Sequence, residues 1–237
     1  MRCVTLIPIY KDKFTPIEEY NVCFSMRNLI GQDCCFFWLA PETINREYYE
    51  RLLPHVRWSI FSDSYFNSVR DYSRLLISDM FYEHYLNYEF LLIMQPDAMV
   101  LKKTLNEWLS KPYDWIGAPW PNGWECALPI RIGNVLESIT CRAFVGNGGL
   151  SLRKPEKILN LLRAFPEARE SWANLGNPED VLISMLATIS ENIIVPTIGE
   201  ASRFSVELDL DFFVRALGRQ NPPFGTHGVQ WPSINKS

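Results

Sequence analysis

The chain has 237 residues, 47% of them hydrophobic and 21% charged, which is an ordinary globular composition with enough apolar material for a full core. Its 23 Lys and Arg against 27 Asp and Glu give a formal net charge of -4, which leaves no basic face for a duplex and excludes nucleic acid as an expected partner. No run approaches the roughly 18 apolar residues that cross a bilayer, and Met1 to Thr5 opens into a strand-like segment instead of a signal peptide, so the chain reads as intracellular.

Cys3 to Ile9 is a short apolar run closed around Pro8 and predicts a first strand, and Glu18 to Leu29 has helical spacing ending at Gly31. Cys34 to Leu39 predicts a second buried strand ended by Pro41, Asn45 to Leu53 a helix and Val56 to Phe61 a third strand. Strands alternating with helices predict an α/β protein with a mostly parallel central sheet. The six cysteines, Cys3, Cys23, Cys34, Cys35, Cys126 and Cys141, show no CxxC spacing, and they read as reduced core thiols.

Asp71 to Leu86 predicts one helix, with Asp71 or Ser73 as its cap and Leu75, Leu76, Met80 and Tyr85 near one face. It feeds Phe90 to Met94, a strand followed by Gln95-Pro96-Asp97. In open α/β sheets the carboxyl ends of the strands face the ligand, so Asp97 is placed to hold a divalent cation against a phosphorylated molecule. Tyr113 to Ala118 predicts another strand, and the Pro- and Gly-containing stretch 119 to 133 reads as a long mobile loop.

Val145 to Leu152 carries Gly146-Asn147-Gly148-Gly149, a glycine turn that lets backbone amides approach a ligand closely. Pro155 to Phe165 predicts a helix. Asn177-Pro178-Glu179-Asp180 opens the next, with Asn177 as cap and Pro178 at the first helical position. The acids of that segment suit either a helix start or a general base. Trp115, Trp120, Trp124 and Trp231 sit beside polar residues, as rings lining a carbohydrate pocket do. Residues 208 to 237 read as a partly irregular tail wrapping back on the body of a single domain spanning 1 to 237.

An acid after a central strand, a glycine turn, an acidic pair at a helix start and a late His227 in a glycine-flanked loop occur in the order found in GT-A glycosyltransferases. The chain resembles a bacterial glycosyltransferase-like family whose pattern includes DYIGAPW and VGNGGFSLR. The matching residues here are Tyr72 to Phe81, Gln95-Pro96-Asp97, Asp114 to Trp120, Val145 to Arg153, Glu179-Asp180, Phe204 to Glu207 and Gly225-Thr226-His227 to Trp231.

The resemblance implies a GT-A-like nucleotide-sugar fold that moves a sugar from a nucleoside diphosphate sugar to a glycan hydroxyl, in the setting of a bacterial surface polysaccharide. Asp180, with Glu179 second, is then the base of an inverting displacement. Pro8, Tyr10, Arg74, Gln95, Asp97, Asn147, Gly148 and Gly149 bind the donor, with Arg70 and Asp71 within reach of the nucleotide, and Trp120 meets the acceptor. Asp97 and His227 hold Mn2+ or Mg2+, although Gln95 stands where the Asp-x-Asp motif has its first carboxylate. The location implied is cytoplasmic, or peripheral to the membrane through the acceptor. Gln95 also motivates a rival expectation, a binding module on the same fold that has lost its chemistry. A nucleotidyltransferase is the third, for which Lys11-Asp12-Lys13-Phe14 is a poor version of the basic loop required.

Overall fold

The computed structural model describes residues 1–232; the end of the expected tail, residues 233–237, lies outside the described residues. In chain order the elements are β1 (Cys3–Pro8), α1 (Pro16–Leu29), β2 (Cys34–Pro41), α2 (Glu47–Leu52), β3 (Arg57–Phe61), α3 (Val69–Leu76), α4 (Asp79–His84), β4 (Phe90–Met94), β5 (Ala98–Val100) and α5 (Leu105–Leu109). They continue with β6 (Trp115–Ile132), β7 (Val135–Arg153), α6 (Pro155–Ala164), α7 (Pro166–Leu175), α8 (Glu179–Ile189), α9 (Ile198–Phe204), β8 (Ser205–Val206), α10 (Leu210–Leu217) and β9 (Gly225–His227).

The central sheet runs β3-β2-β1-β4-β7-β6. Its first four strands are parallel, and β7 is antiparallel to both neighbours. The expected mostly parallel sheet flanked by helices is what forms. Strand residues alternate between two cores, because successive side chains leave a strand on opposite faces. Leu91 and Ile93 of β4 join the core built from α3, α4, α6 and α8, whereas Phe90, Leu92 and Met94 join the core that contains α1 and α5. A strand buried on both faces has no polar positions, which is why β4 reads as an unbroken apolar run.

The stretch expected to be a mobile loop is instead most of β6. From Trp124 opposite Ala143 to Ile132 opposite Val135, it forms a two-stranded ribbon with β7. Gly133, at φ 59°, opens the two-residue turn. Counting from that turn, ladder-bonded and non-bonded pairs alternate, and Pro129, opposite Ser138, falls in a non-bonded pair where its missing N–H costs nothing. Leu128 and Ile130 point inward while Ala127 and Arg131 are exposed. The alternation was present in the sequence and was masked by the prolines.

Four more expectations shift. The single helix over Asp71 to Leu86 is two, α3 and α4. Ser78 breaks it: its hydroxyl donates to the Leu75 carbonyl and accepts from the Phe81 N–H, capping α4. The cap of α3 is Ser68, not Asp71 or Ser73; its hydroxyl accepts from the Asp71 N–H. At α8 the cap is Pro178, with Glu179 as first helical residue and no capping side chain from Asn177. The tail is more regular than expected, since α10 forms and β9 pairs with both β5 and β8 in a three-stranded sheet. Among the described residues, no helix is long and apolar enough to cross a membrane.

Candidate active site at the ends of β1 and β4

A cavity of about 440 Å³ opens at the carboxyl ends of β1 and β4, within the range of small-molecule sites. Pro8, Tyr10, Gln95 and Asp97, all expected there, line it together with Glu18, Pro96, Tyr72 and the segment Phe66 to Val69. A larger hollow of 550 Å³ lies between α5, α9 and Phe224; it lacks any residue of these strand ends, so volume does not decide the site. Pro8 ends β1, and Ile9 remains bonded to the Leu39 carbonyl, which leaves the exposed ring of Tyr10 over the mouth. Among the described residues, the cavity wall includes the carboxylates of Glu18 and Asp97 and no Lys or Arg; the Lys11 ammonium is paired with Glu18 at 2.8 Å.

The site's centre forms where the small sheet meets β4. The pairing of β5 with β9 sets Ala98 opposite His227. The His227 Nε2 then lies 3.0 Å from Gln95 Oε1 and 3.3 Å from Asp97 Oδ1, while Nδ1 lies 3.3 Å from Glu207 Oε1. Burial alone would lower the imidazole pKa, but the close carboxylates of Asp97 and Glu207, each 3.3 Å from a ring nitrogen, outweigh it and raise it to about 9. The same contact with His227 holds the Asp97 carboxyl below its usual value, against the opposing effect of desolvation.

This donor set fits a hard divalent cation. Such a cation takes oxygen and imidazole nitrogen donors, and Gln95 and Asp97 each bring an oxygen within 3.3 Å of His227 Nε2. The contact of Glu207 with the far ring nitrogen is the arrangement that orients a metal-binding histidine. Among the described residues, no group of three His, Cys, Asp or Glu side chains is placed to hold a metal ion, so a cation here would need the Gln95 carbonyl oxygen and oxygens of a bound ligand as well.

The expected glycine turn is part of β7, where a bulge places residues 148–151 against Gly117. Its glycines are required by packing. A Cβ on Gly149 would lie 2.1 Å from the His227 ring, and one on Gly146, at φ 133°, would lie 2.0 Å from Ser184 Oγ. The Gly149 carbonyl accepts from the Gln95 N–H at 2.9 Å, and the Gly148 N–H donates to Asp180 Oδ2 at 2.8 Å. Asn147 accepts from the Gly149 N–H at 3.4 Å. One backbone segment thereby joins the His227 cluster to the acidic pair.

Within that pair the roles separate. Glu179 accepts from Arg153 at 3.1 Å and from Ser73 at 3.3 Å, both buried. Arg153 is fully buried, bonds the Tyr82 hydroxyl at 3.0 Å and lies 4.6 Å over the Trp115 ring. Glu179 is thus the counter-charge of a structural arginine. Among the described residues Asp180 has no salt-bridge partner; desolvation, then the Glu179 charge, raise its pKa to about 7, opposed by the Gly148 and Val181 N–H groups.

Arg74 and Trp120 fall outside the cluster. Arg74 is exposed and lies 4.0 Å from Asp71, and Arg70 turns toward the Asn174 carbonyl. Trp120 is buried in the core, edge-on to the half-exposed Trp124. Trp115 is likewise internal, donating to Ser184. Residues that the sequence did not single out are Glu207, Arg153, Glu18 and Tyr72, whose buried hydroxyl has no hydrogen-bond partner among the described residues. The matched segments contained Glu207, Arg153 and Tyr72 without giving any of them a role.

The fold is similar to that of LgtC, seen in an active-site mutant, with a TM-score of 0.62 at 15% identity over 98% of this chain and 90% of that one. It is also similar to the apo form of mouse xyloside xylosyltransferase 1, with a TM-score of 0.51 at 12% identity over 97% and 99% of the two chains. The chain therefore has a GT-A glycosyltransferase-like fold. A sequence search of curated proteins finds no match. The chain belongs to the family described as "Protein of unknown function (DUF5672)", whose model matches residues 55–227.

Proposed function

We propose that this chain, acting as one domain, is a metal-assisted glycosyltransferase that moves a sugar from a nucleoside diphosphate sugar to a carbohydrate hydroxyl. The observation that carries this reading is the convergence of Gln95, Asp97 and His227 at the mouth of a cavity walled by Pro8, Tyr10 and Tyr72. A diphosphate entering a cavity lined by Glu18 and Asp97 without Lys or Arg needs positive charge brought with it. Asp97, His227 and the Gln95 carbonyl would hold Mn2+ or Mg2+, which when bound supplies charge to the departing diphosphate.

Pro8 and Tyr10 take the nucleoside, and Gly149 keeps space for the histidine ring. Asp180 accepts the proton of the attacking hydroxyl. A carboxyl titrating near 7 is a better base at neutral pH than one titrating near 4, and the Gly148 N–H fixes its orientation. Inversion at the anomeric carbon is the simplest outcome with a single base. The resemblance in sequence and the two structural likenesses support the transferase class.

The test is a thermal-shift panel with UDP, GDP, CDP and TDP, each with and without Mn2+. A ligand at a hundred times its dissociation constant stabilises by about 2.7 kcal/mol. A selective shift enhanced by Mn2+, followed by release of that nucleoside diphosphate from its sugar conjugate, supports the reading. No shift with any of the four removes it, and a shift without turnover on any acceptor points to the degenerate binding module.

A further inference from the structure

We propose that Cys126 and Cys141 form a reversible disulfide that staples the β6–β7 ribbon. The two residues stand directly opposite each other in the antiparallel ladder, between the pairs Glu125–Arg142 and Ala127–Thr140. Counted from the Gly133 turn this is a ladder-bonded pair, whose Cα atoms lie about 5.5 Å apart, inside the roughly 4.4–6.8 Å that a disulfide bridges. Opposed residues also share a face of the sheet, so both thiols project toward the same core. Neither is bonded to the other in the reduced structure, where both are free.

Access separates this pair from the other cysteines. Cys3 and Cys34 are also register partners, in β1 and β2, but both are buried in the interior, and burial pushes the Cys3 thiol well above its usual range. Cys126 is partly exposed and Cys141 lies buried beside it. An oxidant therefore meets Cys126 first and leaves Cys141 to resolve it. With hydrogen peroxide, the Cys126 sulfur takes one oxygen to become a sulfenic acid and one water leaves. The Cys141 sulfur then displaces the hydroxyl to give the S–S bond and a second water. Two thiols are oxidised as one peroxide is reduced. Burial raises both thiols, so the reaction accelerates as the pH rises and thiolate accumulates.

The ribbon's role gives the link its consequence. Beyond Trp124 and Ala143 the ladder shifts register and passes into the bulge that carries Gly148 and Gly149. A covalent link two pairs outside that shift fixes the ribbon while leaving the bulge free. Closing the short loop between the two cysteines also restricts the unfolded chain.

The test uses the full chain treated with hydrogen peroxide at pH 8, digested under non-reducing conditions and mapped by mass spectrometry. The expected result is one cross-linked peptide pair joining Cys126 to Cys141, two hydrogens lighter than the reduced peptides and restored by dithiothreitol. The thermal midpoint should rise by at least about 3 °C on oxidation, and Cys126→Ser should show neither change. Oxidation of Cys126 to a sulfinate without a cross-link, or a link through Cys3 and Cys34 instead, overturns the proposal. A cross-link that lowers the midpoint overturns its role as a staple.

Discussion

Glu179 and Asp180 are neighbours in sequence with opposite expected responses to mutation, and the difference is measurable. Replacing Glu179 by Ala leaves the Arg153 guanidinium, whose side chain has 0% exposure, without its only carboxylate at salt-bridge distance among the described residues. Removing one partner of a buried ion pair costs about 3–5 kcal/mol, because the remaining charge stays desolvated. For a domain of this size each kcal/mol moves the midpoint by about 2–4 °C, so Glu179→Ala should melt about 6–20 °C lower. Tyr82 and Ser151 still bond Arg153, which argues for the lower half of that range. Asp180→Ala loses only the bonds from Gly148 and Val181 and relieves a desolvated acid, so its midpoint should stay within about 3 °C of wild type. The assay is thermal unfolding by circular dichroism at pH 7.5. A Glu179→Ala protein as stable as wild type would refute the structural assignment of Glu179 and return it to candidacy as the base.

The pH dependence follows from the raised pKa of Asp180. Because its folded value of about 7 lies above the unfolded one, the native state binds the extra proton between about pH 4 and 7. Stability should therefore fall as pH rises through that window, and Asp180→Asn should flatten this part of the profile in urea titrations. Transfer should rise with pH to a plateau above about 7, a limb that Asp180→Asn removes; a rate already flat from pH 5 argues against Asp180 as base. Glu207→Ala should weaken Mn2+ binding by about 10–100-fold as read by calorimetry, with an unchanged fold, and unaltered affinity would mean that Glu207 does not orient His227. Asp97→Ala should abolish the Mn2+ enhancement of nucleotide binding, and persistence of the full enhancement would remove Asp97 from the site. Trp120→Ala should cost about 3–5 kcal/mol of stability and act on acceptor KM only through folding; a raised KM in a protein of native stability would restore its acceptor role.

The fold was legible wherever burial on both faces left continuous apolar runs. Strands β1, β2 and β4 were found because their residues leave no room for a polar side chain, and the placement of Asp97 after β4 followed from that. The ribbon was missed for a local reason: Pro119, Pro121 and Pro129 are loop signals unless the strand lies at an edge or the proline falls off the ladder, and here the strand is an edge. The helix break at Ser78 was missed because Ser is neutral inside a helix and decisive only when its hydroxyl finds a carbonyl and a free N–H.

At the site, the sequence order brought Asp97, His227 and the glycines together but could not divide the work within Glu179-Asp180. That division depends on Arg153, which is 26 residues from Glu179 in the chain. Arg74 looked like a phosphate ligand by residue type alone, and the helix turns it outward. Trp120 looked like a sugar platform, and the edge strand folds it inward.

Gly148 and Gly149 are consecutive, and each supports a different part of the candidate site: one holds Asp180 and the other leaves room for His227. Their Cα atoms are separated by a single trans peptide, about 3.8 Å, a length that neither mutation nor thermal motion alters appreciably. The spacing between these two backbone contact points is therefore inherited from covalent structure. The cavity wall formed by Tyr10, Phe66 to Val69 and Tyr72 is free of that constraint, so side-chain changes there can resize the cavity without moving the two glycines.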